Sequence, residues 1–494
     1  MNQPVPCPFG FPDRVRDLLG PKGWTRDPDI LRPRLTDWRG RYTGRAFGLA
    51  TPASTCEVAS LVRLCAQHNV SIVAQGGNTS MSGGATPDDT GASILLNLAR
   101  MNAARWIDTA GKTIVCEAGM VLQDLHDAAA RHDLRFPLTL GGKGSATIGG
   151  LIATNAGGTQ VLRHGTMRAQ VLGLEAVMAD GQVLDLLANL KKDNRGFDLK
   201  QLLIGSEGTL GIVTAARLRL LPAIGSRVVA WAGVASPGAA ASLLELFTTE
   251  AGELLEGFEI IPDSSLEAVL EYLPAAKPPF RTISPWHVLI EFAASSQASR
   301  DLRDLVEHLA AMAMERGLAS DAIIAQNETQ AEALWTLRDN ISPAERARGP
   351  AMQHDIAVPV ERMAAFMEHA IPELERRFPG TRALAFGHLG DGNVHFHVQA
   401  PRGSEAGPWE MSDGSRISAA VHDLVVEWGG SISAEHGIGQ MKLAELERLH
   451  DPVALGVMRA VKQALDPRGL LNPDKLIRAN HGASDTLAPA KTVA

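Results

Sequence analysis

Glycine-rich loops that follow short predicted strands limit the fold of this 494-residue chain more than any other feature. The segment QGGNTSMSGG, residues 75–84, holds four glycines and five hydroxyl or amide side chains in ten residues. The segment from Leu140 to Gly158 holds seven glycines in nineteen residues, which leaves no room for a long regular helix. Small residues in such loops let a ligand approach the backbone, whose N–H groups can bind phosphate oxygens. Either loop alone could be a tight turn, but together they predict a site for a phosphate-containing ligand.

The first loop is preceded by a helix and a strand whose limits are clear. Ser54 and Glu57 form a predicted capping box, Asn69 ends the helix, and a short strand over residues 71–74 leads into the loop. The chain contains neither G-x-G-x-x-G opening a helix after a strand nor G-x-x-x-x-G-K-[ST], so a Rossmann site and a P-loop are both disfavoured. The predicted buried face of the helix consists of Val58, Leu61, Val62 and Cys65.

The chain is too long for one domain, because hydrophobic cores stop growing beyond about 250 to 300 residues. After Pro222, strands and helices alternate regularly, which predicts a separate α/β or α+β unit. The chain near the C terminus is mostly helical, with Pro467 and Gly469 as stop signals. We therefore expect an α+β protein with a first domain over 1–222, an α/β cap domain over 223–435, a helical segment over 436–478 and a disordered tail over 479–494.

Composition narrows the class of function. A net charge of −8 without a long basic run argues against nucleic-acid binding. The N terminus lacks the features of a secretory signal, and no stretch reaches about 18 uninterrupted apolar residues, so we expect no transmembrane segment. Four cysteines without a CxxC pair fit a reducing cytoplasm better than a disulfide framework. These cysteines are Cys7, Cys56, Cys65 and Cys116.

The segment GHLGDGNVHFHV, residues 387–398, carries three histidines around a Gly-Asp-Gly-Asn turn. Two strands around this turn would bring His388 close to His395, and His395 and His397 would lie on the same face of their strand. Imidazoles are natural ligands of Zn, Fe and Mn. The hairpin therefore offers candidate metal ligands, although any single histidine fits a structural role better.

A second segment, SISAEHGIGQ, could complete such a site. It contains Glu435 and His436, and the glycines that follow allow the chain to turn either side chain inward. Three protein ligands with an open position are typical of a catalytic metal centre. Five candidate groups in two glycine-flanked segments therefore favour a metal site over independent structural roles.

The glycine loops resemble the FAD-binding domain of the vanillyl-alcohol oxidase / p-cresol methylhydroxylase superfamily. The segments PASTCEV, QGGNTSMSGGA, GSATIGGLIATNAGG and GSEGTLGIVT occur in family order, and LDPRGLLNP is similar to a C-terminal segment that returns to the flavin domain. The resemblance spans essentially the whole chain and implies a two-subdomain FAD-binding domain. Some relatives attach the flavin to a histidine after the paired glycines; because Asn78 stands there, we expect non-covalent FAD. The residues implied to bind FAD are Gln75, Gly76, Gly77, Asn78, Thr79, Ser80, Ser82, Gly83, Gly144, Ser145, Ile148, Gly149, Asn155, Gly157, Gly158, Glu207, Gly208, Thr209, Ile212, Val213 and Asn472.

The histidine segments are similar to those of the D-2-hydroxyacid dehydrogenase branch of this superfamily, which contains D-lactate and D-2-hydroxyglutarate dehydrogenases. The resemblance implies that His388, His395 and Glu435 hold a divalent metal, usually zinc, and that His436 is the catalytic base. It also implies that Arg338, in LWTLRDNIS, binds the substrate carboxylate. By itself, Arg338 would fit a surface salt bridge with Asp339 or Glu332 better.

The chain departs from the D-2-hydroxyglutarate pattern at three positions implied to bind substrate. Gln353 replaces a lysine, His397 replaces an asparagine, and Ser342 replaces a threonine. Losing the lysine removes a charge that would bind a second carboxylate, although a protonated His397 could partly replace it. The full set of implied substrate residues is Arg338, Ser342, Gln353, Asn393 and His397.

The function implied by this resemblance is oxidation of a D-2-hydroxy acid to the 2-oxo acid, with hydride transfer to flavin N5. D-2-hydroxyglutarate or D-malate is the first expectation, and D-lactate or a bulkier acid the second. We expect electrons to pass to a quinone or an electron-transfer flavoprotein, and a homodimer is left open. Three alternatives also remain open: an oxidase of the same fold that reduces O₂, a flavin-free metal hydrolase, and a module that binds FAD without turnover.

Overall fold

The computed structural model describes residues 5–188, 190–281, 283–295 and 301–478. The predicted disordered tail over 479–494 lies outside these residues. Helices and strands are both abundant and form separate layers, so the predicted α+β class is confirmed. None of the helices described is both long and apolar enough to cross a membrane.

The chain up to Pro222 forms two principal sheets and a two-stranded pair. Its strands are β1 (Trp24–Thr25), β2 (Leu49–Ala50), β3 (Ser71–Gln75), β4 (Ser93–Asn97), β5 (Ala104–Asp108), β6 (Thr113–Glu117), β7 (Leu134–Arg135), β8 (Val171–Val177), β9 (Val183–Asp185), β10 (Ile212–Arg219) and β11 (Leu221–Pro222). The sheet orders are β1-β2-β4-β3, β5-β6-β10-β8-β9 and β11-β7. The first glycine loop begins where β3 ends, and the second follows β7 of the two-stranded pair.

The helices of this region are short, apart from the one predicted by the capping box. They are α1 (Phe11–Leu19), α2 (Pro28–Leu31), α3 (Thr55–His68), α4 (Leu122–Ala130), α5 (Ile148–Thr154), α6 (Val161–His164), α7 (Met167–Gln170) and α8 (Lys200–Leu203). The Ser54 hydroxyl accepts a hydrogen bond from Glu57 N at 3.2 Å, and Asn69 ends α3 in the left-handed region. The four residues predicted for the buried face of α3 are fully buried, which confirms the apolar stripe.

The cap is built on one seven-stranded sheet. Its strands are β12 (Ile224–Val234), β13 (Leu255–Pro262), β14 (Trp286–Ser295), β15 (Asp321–Ile324), β16 (Ala351–Ala357), β17 (Arg382–His388) and β18 (Asn393–Gln399), in the order β15-β12-β14-β13-β17-β18-β16. Every neighbouring pair in this sheet is antiparallel, so of the two classes expected from the alternation, α/β and α+β, the cap has the α+β arrangement and the α/β label given to the cap domain is corrected. Strand and helix alternation is compatible with both classes: a helix connects the parallel strands β12 and β13, as in an α/β unit, but β14 lies between them in the sheet.

Helices cover both faces of the cap sheet. They are α9 (Pro237–Ala251), α10 (Asp263–Tyr272), α11 (Leu302–Glu315), α12 (Glu328–Asp339), α13 (Ile341–Ala347), α14 (Met363–Arg377), α15 (Ala406–Trp409) and α16 (Ser415–Glu427). One apolar cluster joins the sheet to α9, α11, α14 and α16. A smaller cluster on the opposite face joins it to α10, α12 and α13. The candidate metal ligands project from this second face.

After the cap, the chain packs against both parts of the molecule through α17 (Leu443–Leu449) and α18 (Pro452–Leu465). Leu471 forms a parallel bridge with Ile72, which lies in β3 of the first sheet. The buried Lys462 ammonium, on α18, donates to Asp466 Oδ2 at 2.6 Å and to the carbonyl of Thr209 at 2.7 Å. These contacts fix the C-terminal segment to the glycine-loop region.

Candidate active site

The β17–β18 hairpin places polar side chains on one face of the cap sheet. His388 lies opposite Asn393 across the turn, and Phe386 lies opposite His395. The imidazole centroids of His388 and His395 are 5.5 Å apart. This confirms the two predicted strands around the Gly-Asp-Gly-Asn turn, and the shared face of His395 and His397 follows from their spacing.

Glu435 completes a candidate metal cluster with the hairpin. One ligand atom from each of His388, His395 and Glu435 lies within 4.8 Å of the other two. The set Asp355, Glu435 and His436 meets the same limit. However, both Asp355 oxygens already accept hydrogen bonds from N–H groups. The set of His388, His395 and Glu435 is the better donor set for a divalent metal, because the Glu435 carboxylate accepts no such hydrogen bond from the described residues.

Glu259 orients the first of these ligands. This fully buried carboxylate on β13 forms a hydrogen bond with Nδ1 of His388, which lies directly opposite on β17. That contact leaves Nε2 of His388 for a ligand, an arrangement typical of metal-binding histidines. Although burial opposes protonation, the Glu259 charge raises the pKa of His388 to about 9. Sequence reasoning missed Glu259, although a carboxylate within the apolar strand LEGFEII indicates a buried partner.

Asp355, on β16, holds the second segment against the hairpin. Its Oδ2 accepts hydrogen bonds at 2.9 Å from the backbone N–H groups of Glu435 and His436. Its Oδ1 accepts a 2.9 Å hydrogen bond from Asn393 Nδ2. Burial alone would raise the pKa of Asp355, but neighbouring charges, chiefly His436 and then Lys442, hold it below its usual range. Sequence reasoning also missed Asp355, although it lies two residues after Gln353, which replaces the lysine of the D-2-hydroxyglutarate pattern.

The electrostatics of the cluster favour neutral imidazoles at His395 and His436 and an unusually basic carboxyl at Glu435. Burial lowers the pKa of His395 and of His436. Burial also raises the pKa of Glu435 to about 7, against the charge of His388. His436 Nδ1 lies 3.4 Å from Asp355 Oδ2, so Nε2 is the ring nitrogen left to accept a proton. A base placed in this way can act near neutral pH.

The implied substrate residue Arg338 points into this cluster. Its Nε donates to Glu259 Oε2 at 2.7 Å, and its guanidinium carbon lies 5.3 Å from the Phe386 ring centroid. Of the two surface partners considered from sequence, Glu332 binds Arg227 instead, at 2.8 Å. Glu259 thus leaves both terminal Nη groups of Arg338 available to a carboxylate ligand.

The other implied substrate residues differ in burial and in their hydrogen-bond partners. Gln353 Nε2 and Asn393 Oδ1 are buried without a hydrogen-bond partner among the described residues. His397 is buried, and its Nδ1 forms a hydrogen bond with Glu345. Ser342 is half-buried on α13. The unpartnered amide atoms indicate that a polar ligand fits beside the histidine cluster.

The glycine loops surround an open cavity of about 520 Å³. Two of its lining groups, Gln75 Oε1 and Thr147 Oγ1, are buried without a hydrogen-bond partner in the part of the chain that the structure describes. A ligand with several hydrogen-bonding groups, such as FAD, fits these orphaned atoms. The implied FAD residues that line the cavity are Gln75, Gly76, Gly149, Glu207, Gly208, Ile212 and Val213.

The remaining implied FAD residues do not line the cavity, and apart from Ile148, which begins α5, they lie in loops. Close packing requires glycine at Gly77, where an added Cβ would lie 1.8 Å from the Ser145 carbonyl oxygen, and at Gly158, where it would lie 2.2 Å from that of Thr139. Asn78 has a φ of 55° and donates to the Thr36 carbonyl. The other members of this group are Thr79, Ser80, Ser82, Gly83, Gly144, Ser145, Ile148, Asn155, Gly157, Thr209 and Asn472.

The cavity and the histidine cluster meet at residues 431–440. A Cβ added at Gly157 would lie 3.3 Å from Glu435 Oε1. Glu207, implied to bind FAD, accepts hydrogen bonds through both carboxylate oxygens, at 2.7 Å from Ile438 N and 2.8 Å from Gly439 N. Ser82 Oγ donates to the His436 carbonyl at 2.9 Å. Cofactor loops and candidate catalytic groups therefore form one continuous site.

Two family models match the chain. The FAD binding domain matches residues 47–187, and the C-terminal domain of FAD linked oxidases matches residues 225–476. The structure also resembles p-cresol methylhydroxylase with substrate bound, with a TM-score of 0.72 at 14% identity over 96% of this chain and 98% of that one. Alkyldihydroxyacetonephosphate synthase gives a TM-score of 0.70 at 17% identity over 96% of this chain and 86% of that one. These structures confirm the predicted fold.

Several relatives of higher identity are named D-2-hydroxyglutarate dehydrogenases. The mitochondrial D-2-hydroxyglutarate dehydrogenase of Arabidopsis thaliana is 35% identical over 94% of this chain and 80% of its own length. That of Danio rerio is 36% identical over 92% and 83%, respectively. The D-2-hydroxyglutarate dehydrogenase of Xanthomonas citri pv. viticola is 37% identical over 92% and 94%. The chain therefore belongs to the FAD-linked oxidase family that contains the D-2-hydroxyglutarate dehydrogenases, and it is an FAD-dependent oxidoreductase.

Proposed function

We propose that this protein oxidises a D-2-hydroxy acid, with D-2-hydroxyglutarate or D-malate as the first candidates, to the corresponding 2-oxo acid. The observation that carries the proposal is the meeting of three elements at one place: the FAD cavity, the His388–His395–Glu435 cluster and the Arg338 guanidinium. Bound FAD supplies a two-electron acceptor for the hydride that leaves C2. The names of the relatives support the same substrate class.

We propose that His388 Nε2, one His395 nitrogen and the Glu435 carboxylate hold a divalent metal, with zinc as the first candidate. A metal in this position supplies Lewis acidity, which lowers the pKa of a neighbouring hydroxyl. Glu259 fixes the orientation of His388, because its carboxylate occupies the other ring nitrogen. Low pKa values keep His395 neutral, as a ligand must be.

We propose that His436 takes the proton of the substrate hydroxyl at Nε2. Asp355 lies 3.4 Å from Nδ1 and stabilises the tautomer that keeps Nε2 unprotonated. Arg338 binds the C1 carboxylate through its free Nη groups and so fixes which face of C2 is presented. We propose that Gln353, Asn393 and Ser342 contact the remaining part of the substrate.

The cofactor and its surroundings complete the proposal. FAD is held without a covalent bond, because Asn78 stands at the position of attachment and its amide binds the Thr36 carbonyl. We propose the domain limits 1–222, 223–435 and 436–478, with a quinone or an electron-transfer flavoprotein as electron acceptor. The four cysteines are all free, which supports a reducing compartment such as the cytoplasm.

An anaerobic flavin-bleaching screen across D- and L-2-hydroxy acids tests the proposed reaction. We expect rapid loss of flavin absorbance with a D-2-hydroxy acid and none with its L enantiomer. A yellow protein that no 2-hydroxy acid bleaches would refute the reaction, and a purified protein without flavin would favour a metal hydrolase. Peroxide formed in air at the rate of turnover would instead identify an oxidase.

Metal analysis of the purified protein tests the proposed ligand set. We expect one divalent metal per chain in the wild type and none in His388→Ala, with FAD retained in both. His369→Ala is a matched control, because His369 lies on α14 beside Trp428, away from the cluster. Full activity in a metal-free His388→Ala protein would refute the metal role.

A further inference from the structure

A turn in the N-terminal part of the chain lies against the proposed active site. Arg39 Nη2 lies 3.3 Å from Met81 Sδ in the first glycine loop, and Arg41 Nη1 lies 3.7 Å from Met441 Sδ. Tyr42 packs beside the first loop, because a Cβ added at Gly83 would lie 2.9 Å from its ring. Residues 39–42 therefore sit where the cofactor loop meets the chain that carries Glu435 and His436.

Arg39 has no anionic partner among the described residues. Its Nε is buried without a hydrogen-bond acceptor, and the thioether of Met81 is a weak one. The carboxylate beside it in sequence, Asp37, accepts instead from the backbone N–H groups of Arg39 and Tyr42, at 3.2 and 2.7 Å. The charge of a second carboxylate, Asp355, also affects the pKa of Arg39, but Asp355 already accepts hydrogen bonds from the Asn393 side chain and from the backbone N–H groups of residues 435 and 436. The half-buried Arg39 guanidinium is therefore available to an anion that a ligand supplies.

Positive charge converges on this place from two separate elements. Arg346 projects from α13, next to Glu345, whose carboxylate binds His397. The pKa of Arg39 is lowered to about 10, first by burial and then by the positive charges of Arg41 and Arg346. Like charges that act on one another at one place attract an anion.

We infer that Arg39 is a specificity-determining residue that binds the distal carboxylate of a dicarboxylic 2-hydroxy acid. The inference rests on the proposed function, in which Arg338 binds the C1 carboxylate. Arg39 and Arg338 reach the site from different elements, the 39–42 turn and α12, as binding of two carboxylates on one substrate requires. Arg39 supplies the positive charge that is lost where Gln353 replaces a lysine.

The test compares two substrates that differ only at the distal end. D-2-hydroxyglutarate carries the second carboxylate, and D-2-hydroxypentanoate has a methyl group in its place. In Arg39→Met, we expect KM for the diacid to rise about 10- to 100-fold, the effect of losing a charge-assisted hydrogen bond, while KM for the monoacid changes less than about threefold. Arg39→Lys retains the charge and should recover part of the loss.

Arg32→Met is the matched control, because its side chain is 78% exposed and lies 3.5 Å from Asp29. It should leave both KM values unchanged. Inhibition of the wild-type enzyme by glutarate and by pentanoate gives a second measurement that does not depend on how the variant folds, and glutarate should bind more tightly.

Three results would overturn the inference while leaving the proposed reaction intact. They are equal losses on both substrates in Arg39→Met, an unchanged KM for the diacid, and preference of the wild type for pentanoate over glutarate. Failure of every 2-hydroxy acid to reduce the flavin of the wild type would instead refute the proposed function, and the inference with it.

Discussion

Replacing Glu259 by glutamine should weaken both the cap and the metal site. This carboxylate is fully buried, and it bridges Arg338 and His388, whose side chains are 12% and 9% exposed. Glutamine has nearly the same shape, but it lacks the charge and its single acceptor oxygen can serve only one of the two donors. The substitution therefore leaves two neighbouring cationic or polar groups without their shared anion.

The expected magnitude follows from this burial. Breaking a buried ion pair by removing one partner costs about 3–5 kcal/mol, and the remaining hydrogen bond favours the lower end, about 3 kcal/mol. For a unit of this size, each kcal/mol shifts the Tm by about 2–4 °C, so the Tm should fall by about 6–12 °C. Loss of the carboxylate behind His388 should also weaken metal binding about 10- to 100-fold.

Thermal unfolding followed by circular dichroism measures the first effect, and competition with a chelator measures the second. Glu332→Gln is the control, because Glu332 makes the same type of ion pair with Arg227 but is 62% exposed. An exposed pair contributes about 0–1 kcal/mol, so this control should melt close to the wild type. A Glu259→Gln protein with a Tm and metal affinity equal to those of the control would refute the reasoning.

Three further predictions test other parts of the molecule. Glu256→Gln should lower the Tm near neutral pH. Burial opposes ionisation of Glu256, but His164 and two arginines hold the pKa of its carboxyl below the usual range. The ionised carboxylate therefore stabilises the fold above about pH 4.3, and this stabilisation is lost as the pH falls. Melts across pH should show the difference from wild type shrinking in acid, and a constant difference would contradict this. Gly77→Ala should lose most bound FAD, measured by the ratio of flavin to protein absorbance, whereas Gly141→Ala, whose added Cβ meets nothing within 4 Å, should keep it. Arg338→Lys keeps the charge but loses the planar fork, so KM for the hydroxy acid should rise about tenfold or more with FAD content unchanged; an unchanged KM would exclude Arg338 from the site.

Features with local causes could be predicted from the sequence. The limits of α3 follow from Ser54 and Asn69, whose side chain and backbone act within a few residues of themselves. The β17–β18 hairpin follows from its glycine turn, and that turn alone brings His388 near His395. In each case, the signal and the structure that it determines lie in the same short segment.

Features that depend on strand register could not be predicted in this way. Glu259 meets His388 across 129 residues of sequence, because β13 happens to pair with β17. Nothing near either residue specifies that pairing. The same limit explains the cap sheet, since alternating strands and helices do not indicate that β14 lies between β12 and β13. The shared hydrogen-bond partner of His388 and Arg338 could therefore be identified only from the tertiary structure.

The segment over residues 431–440 is held in place by both parts of the molecule. Asp355 fixes its first half to the cap through two backbone N–H groups, and Glu207 fixes its second half to the cofactor region through two more. A left-handed φ of 73° at Gly437 lets the chain turn between the two anchors. Because Glu435 and His436 lie on this doubly anchored segment, their position depends on both parts of the molecule at once. A change at Glu207 should therefore disturb the histidine cluster as well as FAD binding, although its carboxylate makes no hydrogen bond to a histidine among the described residues.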